Sequence, residues 1–125
     1  WRMARSPASA GADAMVAIVM LSEGAVGEQV LFSPDHAGKR PAETLAAGSV
    51  LVVMSSIPVE ACQSQAPRLA AREVDYIDAP VSGGEPGARD GTLAIMAGGD
   101  ATVVAGIADV VAAMGRVTHI GPVGP

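Results

Sequence analysis

Ser82-Gly83-Gly84, set directly behind Asp78-Ala79-Pro80-Val81, is the stretch of this chain best equipped for chemistry. Glycine lacks a Cβ and tolerates positive φ, so two in succession lay main-chain N–H groups bare, and the Ser82 hydroxyl adds a donor beside them. Such an array suits a small ligand rich in hydrogen-bond acceptors. Read on its local sequence alone, the triplet is more simply an ordinary turn where a strand passes into a loop. Two further turns share its character: Leu21-Ser22-Glu23-Gly24 and Ser55-Ser56. Ser56 reads equally as a helix N-cap and as a ligand contact, since one hydroxyl serves both. Leu21 and Ser22 would touch a ligand through backbone.

Other reactive types are less promising. Asp78 and Glu85 form a potential carboxylate pair for acid–base work; the plainer reading is a structural hydrogen bond at a strand end and an exposed side chain. His36 falls in a polar loop, and His119 in a short apolar strand as a satisfied core or edge residue. The methionines at 15, 20, 54, 96 and 114 read as core filler. Cys62 is the only cysteine, so an intramolecular disulfide and a metal site of paired thiolates are both excluded. A reducing, cytoplasmic compartment fits.

These turns need strands and helices to carry them. Met15–Leu21 and Val50–Met54 are apolar runs without period-2 alternation, as in parallel strands covered on both faces. Val74–Ala79, Thr92–Ala97 and Val117–Ile120 supply further strands. Between them, Glu23–Phe32 is a short helix with Ser22 as N-cap, and Ala42–Ala47 makes one or two helical turns. Val59, Cys62, Ala66 and Leu69 to Ala70 share one face of a crossover helix. Pro67 lies inside it and predicts a kink or break. Ala101–Met114 is amphipathic, with Asp100 as N-cap. This alternation predicts a doubly wound α/β fold with a mainly parallel sheet, whose ligands bind beyond the C-terminal strand ends. The three polar turns converge at that edge.

Composition narrows the partners. In 125 residues, thirteen acids oppose eight bases for a net charge of −5, and only Trp1, Phe32 and Tyr76 are aromatic. No basic cluster interleaves with aromatics, which argues against nucleic acid, and an acidic chain is a poor match for anionic membranes. No apolar run reaches the roughly 18 residues that span a bilayer.

Asp78-Ala79-Pro80-Val81-Ser82-Gly83-Gly84, followed by Ala88, Gly91-Thr92-Leu93 and Met96-Ala97-Gly98-Gly99-Asp100, resembles the substrate segment of the β-hydroxyacid dehydrogenases. Val19-Met20-Leu21, Met54-Ser55-Ser56-Ile57 and Ile120-Gly121-Pro122-Val123-Gly124 resemble three more blocks of that family, in order. The resemblance implies the C-terminal half of a Rossmann-type dinucleotide-binding domain over residues 1–120. Residues 121–125 would open the connection to a helical domain. It further implies reversible hydride transfer between NADP or NAD and a small carboxylate or semialdehyde substrate. Ser82, Gly83 and Gly84 would hold the substrate carboxylate, while Leu21, Ser22 and Ser56 would line the cofactor. Metals play no part, and the complete protein would form a homo-oligomer.

The departures are equally specific. The family's Gly-x-Gly-x-x-Gly turn belongs before Trp1. Its catalytic lysine belongs a few residues after the Gly-Pro-Val-Gly segment, beyond Pro125, and Lys39 is the only lysine here. Val53 replaces a common Asp, and Ser22 and Val59 replace common prolines. These features predict an incomplete piece, inactive by itself. A non-catalytic binding module and a fragment without function, self-associating through an uncovered Met15–Leu21 edge, are the alternatives.

Overall fold

The computed structural model describes residues 3–21 and 24–124. Helix α1 (Pro7–Gly11) opens on Ser6, whose hydroxyl accepts from the Ser9 N–H. Proline takes its first turn, where a missing N–H is harmless. At five residues it is too short to show a hydrophobic period, and the sequence pattern does not reveal it. β1 (Val16–Val19), α2 (Gly24–Phe32), α3 (Pro41–Thr44), β2 (Val50–Val53), α4 (Val59–Ala70) and β3 (Asp75–Asp78) follow. Then come β4 (Val81–Ser82), α5 (Gly84–Asp90), β5 (Leu93–Gly98), α6 (Ala101–Val111) and β6 (Gly115–Gly121).

The sheet runs β1-β2-β3-β5, with β4 on the same edge of β5 as β3 and β6 on the other. β1, β2 and β3 are parallel, in register Val16↔Val50 and Leu51↔Tyr76. β5 and β6 are parallel as well, from Leu93↔Gly115 onward. The two groups meet antiparallel at one pair, Asp78↔Gly98, after which β4 continues along β5 through Val81↔Ile95 and Ser82↔Ala94. The fold is thus α/β with a mainly parallel, Rossmann-like sheet, and its parallel half ends at β3 rather than including β5. β3 continues through Pro80, whose carbonyl accepts from the Met96 N–H at 3.0 Å, into the short strand β4, so one antiparallel neighbour accompanies both.

Side chains alternate across the sheet. Leu51, Val53 and Tyr76 face Leu31, Cys62 and Leu69 beneath α2 and α4, whereas Val52 and Ile77 face Val104, Ile107 and Val111 of α6. The central strands β2 and β3 are therefore buried on both sides, which is why Val50–Val53 shows no alternation. Asp100 caps α6 through the Thr102 and Val103 N–H groups.

Several expectations are corrected. α4 is unbroken across Pro67. The proline lies near its end with an exposed ring, and the one carbonyl it deprives of a partner belongs to exposed Gln63. The N-cap of α4 is Pro58, without a side-chain bond, so Ser56 is not the cap. α6 stops at Val111, and β6 begins two residues ahead of the expected Val117. Met15, Met20 and Met96 are 83%, 51% and 37% exposed and are not core filler; Met54 is. The expected cap Ser22 lies outside the described residues. So does Pro125, and with it the expected position of the family's lysine, which would follow that residue.

Candidate functional site

Three strand ends form one rim. Leu21, just past β1, donates its N–H to the Ser55 Oγ at 2.7 Å, and the Met54 N–H donates to the Val19 carbonyl at 2.8 Å. Ser55 is 2% exposed. Its hydroxyl therefore stitches the first two strand ends together, a role visible only once β1 and β2 are known to be adjacent. Ser56, next to it, is exposed with its side chain free of hydrogen bonds among the described residues. The Leu21 N–H is already committed and leaves that residue only its carbonyl and side chain for a ligand.

Ser82, Gly83 and Gly84 lie on the same edge but farther out, carried beyond Asp78 by the β4–β5 pairing. Gly83 has φ 134° and Gly84 φ 60°, conformations that side chains rarely adopt. A Cβ on Gly83 would also meet Leu93 Cδ2 at 3.2 Å. The glycines let β4 turn at once into α5, so Ser82 and the first N–H groups of α5 are presented outward. Among the described residues no hydrogen bond links this turn to Leu21 or Ser56. The structure brings Leu21 and Ser55–Ser56 together and holds Ser82–Gly84 as a separate lip.

The chain crosses the rim a second time. β6 carries a bulge at Ile120, where the register steps from Ala97↔His119 to Gly98↔Gly121. His119 Nε2 lies 2.8 Å from the Gly99 carbonyl, and the Gly99 N–H donates to the Gly121 carbonyl at 2.8 Å. Gly99 has φ 151°, and a Cβ there would sit 2.6 Å from Ile77 Cδ1. The run from Gly121 then turns back over the strand ends to α4, where Gln63 Nε2 donates to the Gly124 carbonyl at 3.4 Å.

Beneath the rim lies a buried polar column. The Tyr76 hydroxyl donates to Gln65 Oε1 at 2.7 Å, and Gln65 Nε2 donates to Glu28 Oε2 at 2.8 Å. Burial pushes the Cys62 thiol up to about 12, reinforced by the negative charge of the nearby Asp78 carboxylate. Burial also raises Tyr76 and Asp78 above their ordinary values; Cys62 adds to the rise at Tyr76 and opposes it at Asp78. The shifts at Cys62 and Tyr76 favour their protonated forms, so neither is poised as a nucleophile. Glu85 is exposed and paired with Arg89, well separated in role from Asp78. Among the described residues no three His, Cys, Asp or Glu side chains gather as metal ligands, and no helix is long and apolar enough to cross a membrane.

Residues 1–121 match the family model described as the NAD binding domain of 6-phosphogluconate dehydrogenase. The chain belongs to that family. This NAD-binding domain is 42% identical over 94 residues to 2-hydroxy-3-oxopropionate reductase of Escherichia coli, an alignment covering 70% of the chain and 29% of the relative. It is 42% identical over 79 residues to 2-(hydroxymethyl)glutarate dehydrogenase of Eubacterium barkeri, covering 62% and 26%. Among solved structures it is similar to Mycobacterium tuberculosis 3-hydroxyisobutyrate dehydrogenase with L-serine, at TM-score 0.87 and 29% identity, over 96% of this chain and 39% of that one. The chain thus spans less than a third of the length of these two curated relatives.

Proposed function

We propose that this domain serves an NAD(P)-dependent oxidoreductase of the β-hydroxyacid dehydrogenase type, acting between a nicotinamide cofactor and a short β-hydroxyacid or semialdehyde. The observation that carries the reading is the Ser82-Gly83-Gly84 lip, where two positive-φ glycines bare the backbone beside a hydroxyl at the sheet edge. Relatives named as dehydrogenases and reductases of small hydroxyacids support it. In this reading Ser82, Gly83 and Gly84 donate to the substrate carboxylate. Ser56 donates to the cofactor, and Leu21 and Ser22 flank it through backbone. The residues fit such a group at Ser56, whose exposed hydroxyl is uncommitted.

When bound, the nicotinamide supplies or accepts the hydride. The chain's own part is to orient the carboxylate with preorganised donors and to hold the strand ends rigid through Ser55. Lys39 sits in the turn closed by Asp35, whose carboxylate accepts the Lys39 N–H. It is no candidate for the family's proton-moving lysine, which this reading assigns to the complete protein, beyond Pro125. In this reading the complete protein would be a homo-oligomer of a reducing cytoplasmic compartment.

The test is steady-state kinetics on the complete protein with NADPH or NADH and glyoxylate, succinic semialdehyde or 3-hydroxyisobutyrate. Ser82→Ala should raise the substrate KM about tenfold while Ser56→Ala raises the cofactor KM. Equal effects of both variants on both constants would overturn the division of roles. No turnover, with no cofactor binding by fluorescence, would favour an interaction module on the same fold.

A further inference from the structure

The run Gly121–Gly124 ties together the two parallel halves of the sheet, which meet within the sheet at the pair Asp78↔Gly98. Its near end is held to the end of β5: the Gly99 N–H donates to the Gly121 carbonyl at 2.8 Å, and His119 Nε2 lies 2.8 Å from the Gly99 carbonyl. In the middle, Val123 packs against the core cluster beneath α2 and α4. At the far end, Gly124 is buried against the first turns of α4.

Val59 and Gln63 build the seat of Gly124, at i and i+4 on one face of α4. Gly124 has φ 62°, and a Cβ on it would meet Val59 Cγ1 at 3.1 Å and Gln63 Cγ at 3.3 Å. Glycine satisfies both constraints without strain. Gln63 completes the seat, its Nε2 donating to the Gly124 carbonyl at 3.4 Å. Ending a strand accounts for the bonds at Gly121. It does not account for a buried, left-handed glycine farther on, seated on a helix that packs against the other half of the sheet.

The two anchor points lie beside the two parts of the rim. Val59 follows Ser56 on the same connection, through Ile57 and Pro58, whereas β5 pairs with β4 and so carries the Ser82–Gly84 lip. We propose that Gln63 and Gly124 are positioning residues: they latch this strap to α4 and so fix the gap between Ser56 and the lip. The role rests on the reading of those sites as cofactor and substrate contacts, neither of which the latch itself touches. Transfer between two bound partners is steep in their separation, so a gap set wrongly costs turnover rather than binding.

The test is kinetics on the complete protein carrying Gln63→Glu, which keeps the size of the side chain and removes its donor, with Gln63→Lys restoring one. Gln63→Glu should lower kcat about tenfold while the substrate KM, and the cofactor Kd by fluorescence, stay within about twofold; Gln63→Lys should recover most of the loss. Gly124→Ala should lower kcat by a similar factor, and adding Gln63→Glu to it should lower kcat no further, because both break the same latch. A contact that merely stabilised α4 would lower the melting temperature and leave kcat of the folded enzyme unchanged. An unchanged kcat in Gln63→Glu, no recovery in Gln63→Lys, or multiplied losses in the double variant would each overturn the proposal. If the wild-type protein turns over no hydroxyacid or semialdehyde, the oxidoreductase reading has failed, and amide exchange judges the latch by itself. The Gly99 N–H should then exchange at least about tenfold faster in Gln63→Glu than in the wild type, and unchanged exchange there would overturn the latch.

Discussion

Cys62 shows how environment decides the meaning of a reactive side chain. It is 1% exposed, and burial beside Asp78 pushes its thiol up to about 12. Because the thiolate is the nucleophile, the folded chain should resist iodoacetamide at pH 8 and react fully once unfolded in denaturant, as mass spectrometry would report. Asp78 carries the companion prediction. Its folded-state pKa is raised, chiefly by burial, above the ordinary 3.8. The stability linked to its protonated form is fully present below that value and is lost as pH rises through the elevated one. Asp78→Asn should therefore raise the melting temperature at pH 7 and give a smaller gain at pH 4, and an equal gain at both would refute the linkage. Asp78 was legible as a strand-end hydrogen-bonding residue, but its partner was not. Sixteen positions separate Cys62 from Asp78, and only the packing of α4 on β3 makes them neighbours.

At the scale of elements, α4 is the clamp. Leu69, fully buried, and Cys62 fix it to β3, and Gln65 and Arg68 tie it to Glu28 of α2. Leu69→Ala should cost about 2–5 kcal/mol in chemical denaturation, with the cavity term setting where in that range it falls. β1 is the opposite case. It ends the sheet, Ile18 is 42% exposed, and an apolar groove of about 450 Å³ lies alongside, lined by residues of α1, β1 and α2. With this edge uncovered, the chain should associate with concentration in sedimentation, and Ile18→Lys should suppress that association while changing stability by under about 1 kcal/mol. The strands at 50–53 and 75–78 and the helix at 101–111 were legible because their hydrophobic patterns are strong. α5 was not, since Gly84-Glu85-Pro86-Gly87 carries no helical period and reads as loop. Pro67 misled in the other sense: sequence shows a proline in a helix, but only the structure shows how near the end it falls.

Across the whole molecule, the order of elements and the edge at which the turns converge were readable. The reversal at β5 was not, because a strand's direction is set by the neighbours it pairs with, and nothing in Leu93–Gly98 itself marks which way it runs. The rim was likewise half legible. Ser56 and Ser82–Gly84 stand out by residue type, whereas Ser55 does its work hidden, through a contact 34 positions away.

The single pair Asp78↔Gly98 joins the two parallel halves of the sheet. In mechanical language it is a crease, with few bonds to share load between the β1–β3 panel and the β5–β6 panel. Amide exchange under native conditions should accordingly resolve two cooperative units. Leu51–Val53 would report the first and Ile95–Ala97 the second. Merged, equal protection across both would show that the shared core of Ile77 and Val104 outweighs the crease. Since the rim residues sit on one panel and the Ser82–Gly84 lip on the other, bending there would open or narrow the gap between them without disturbing either.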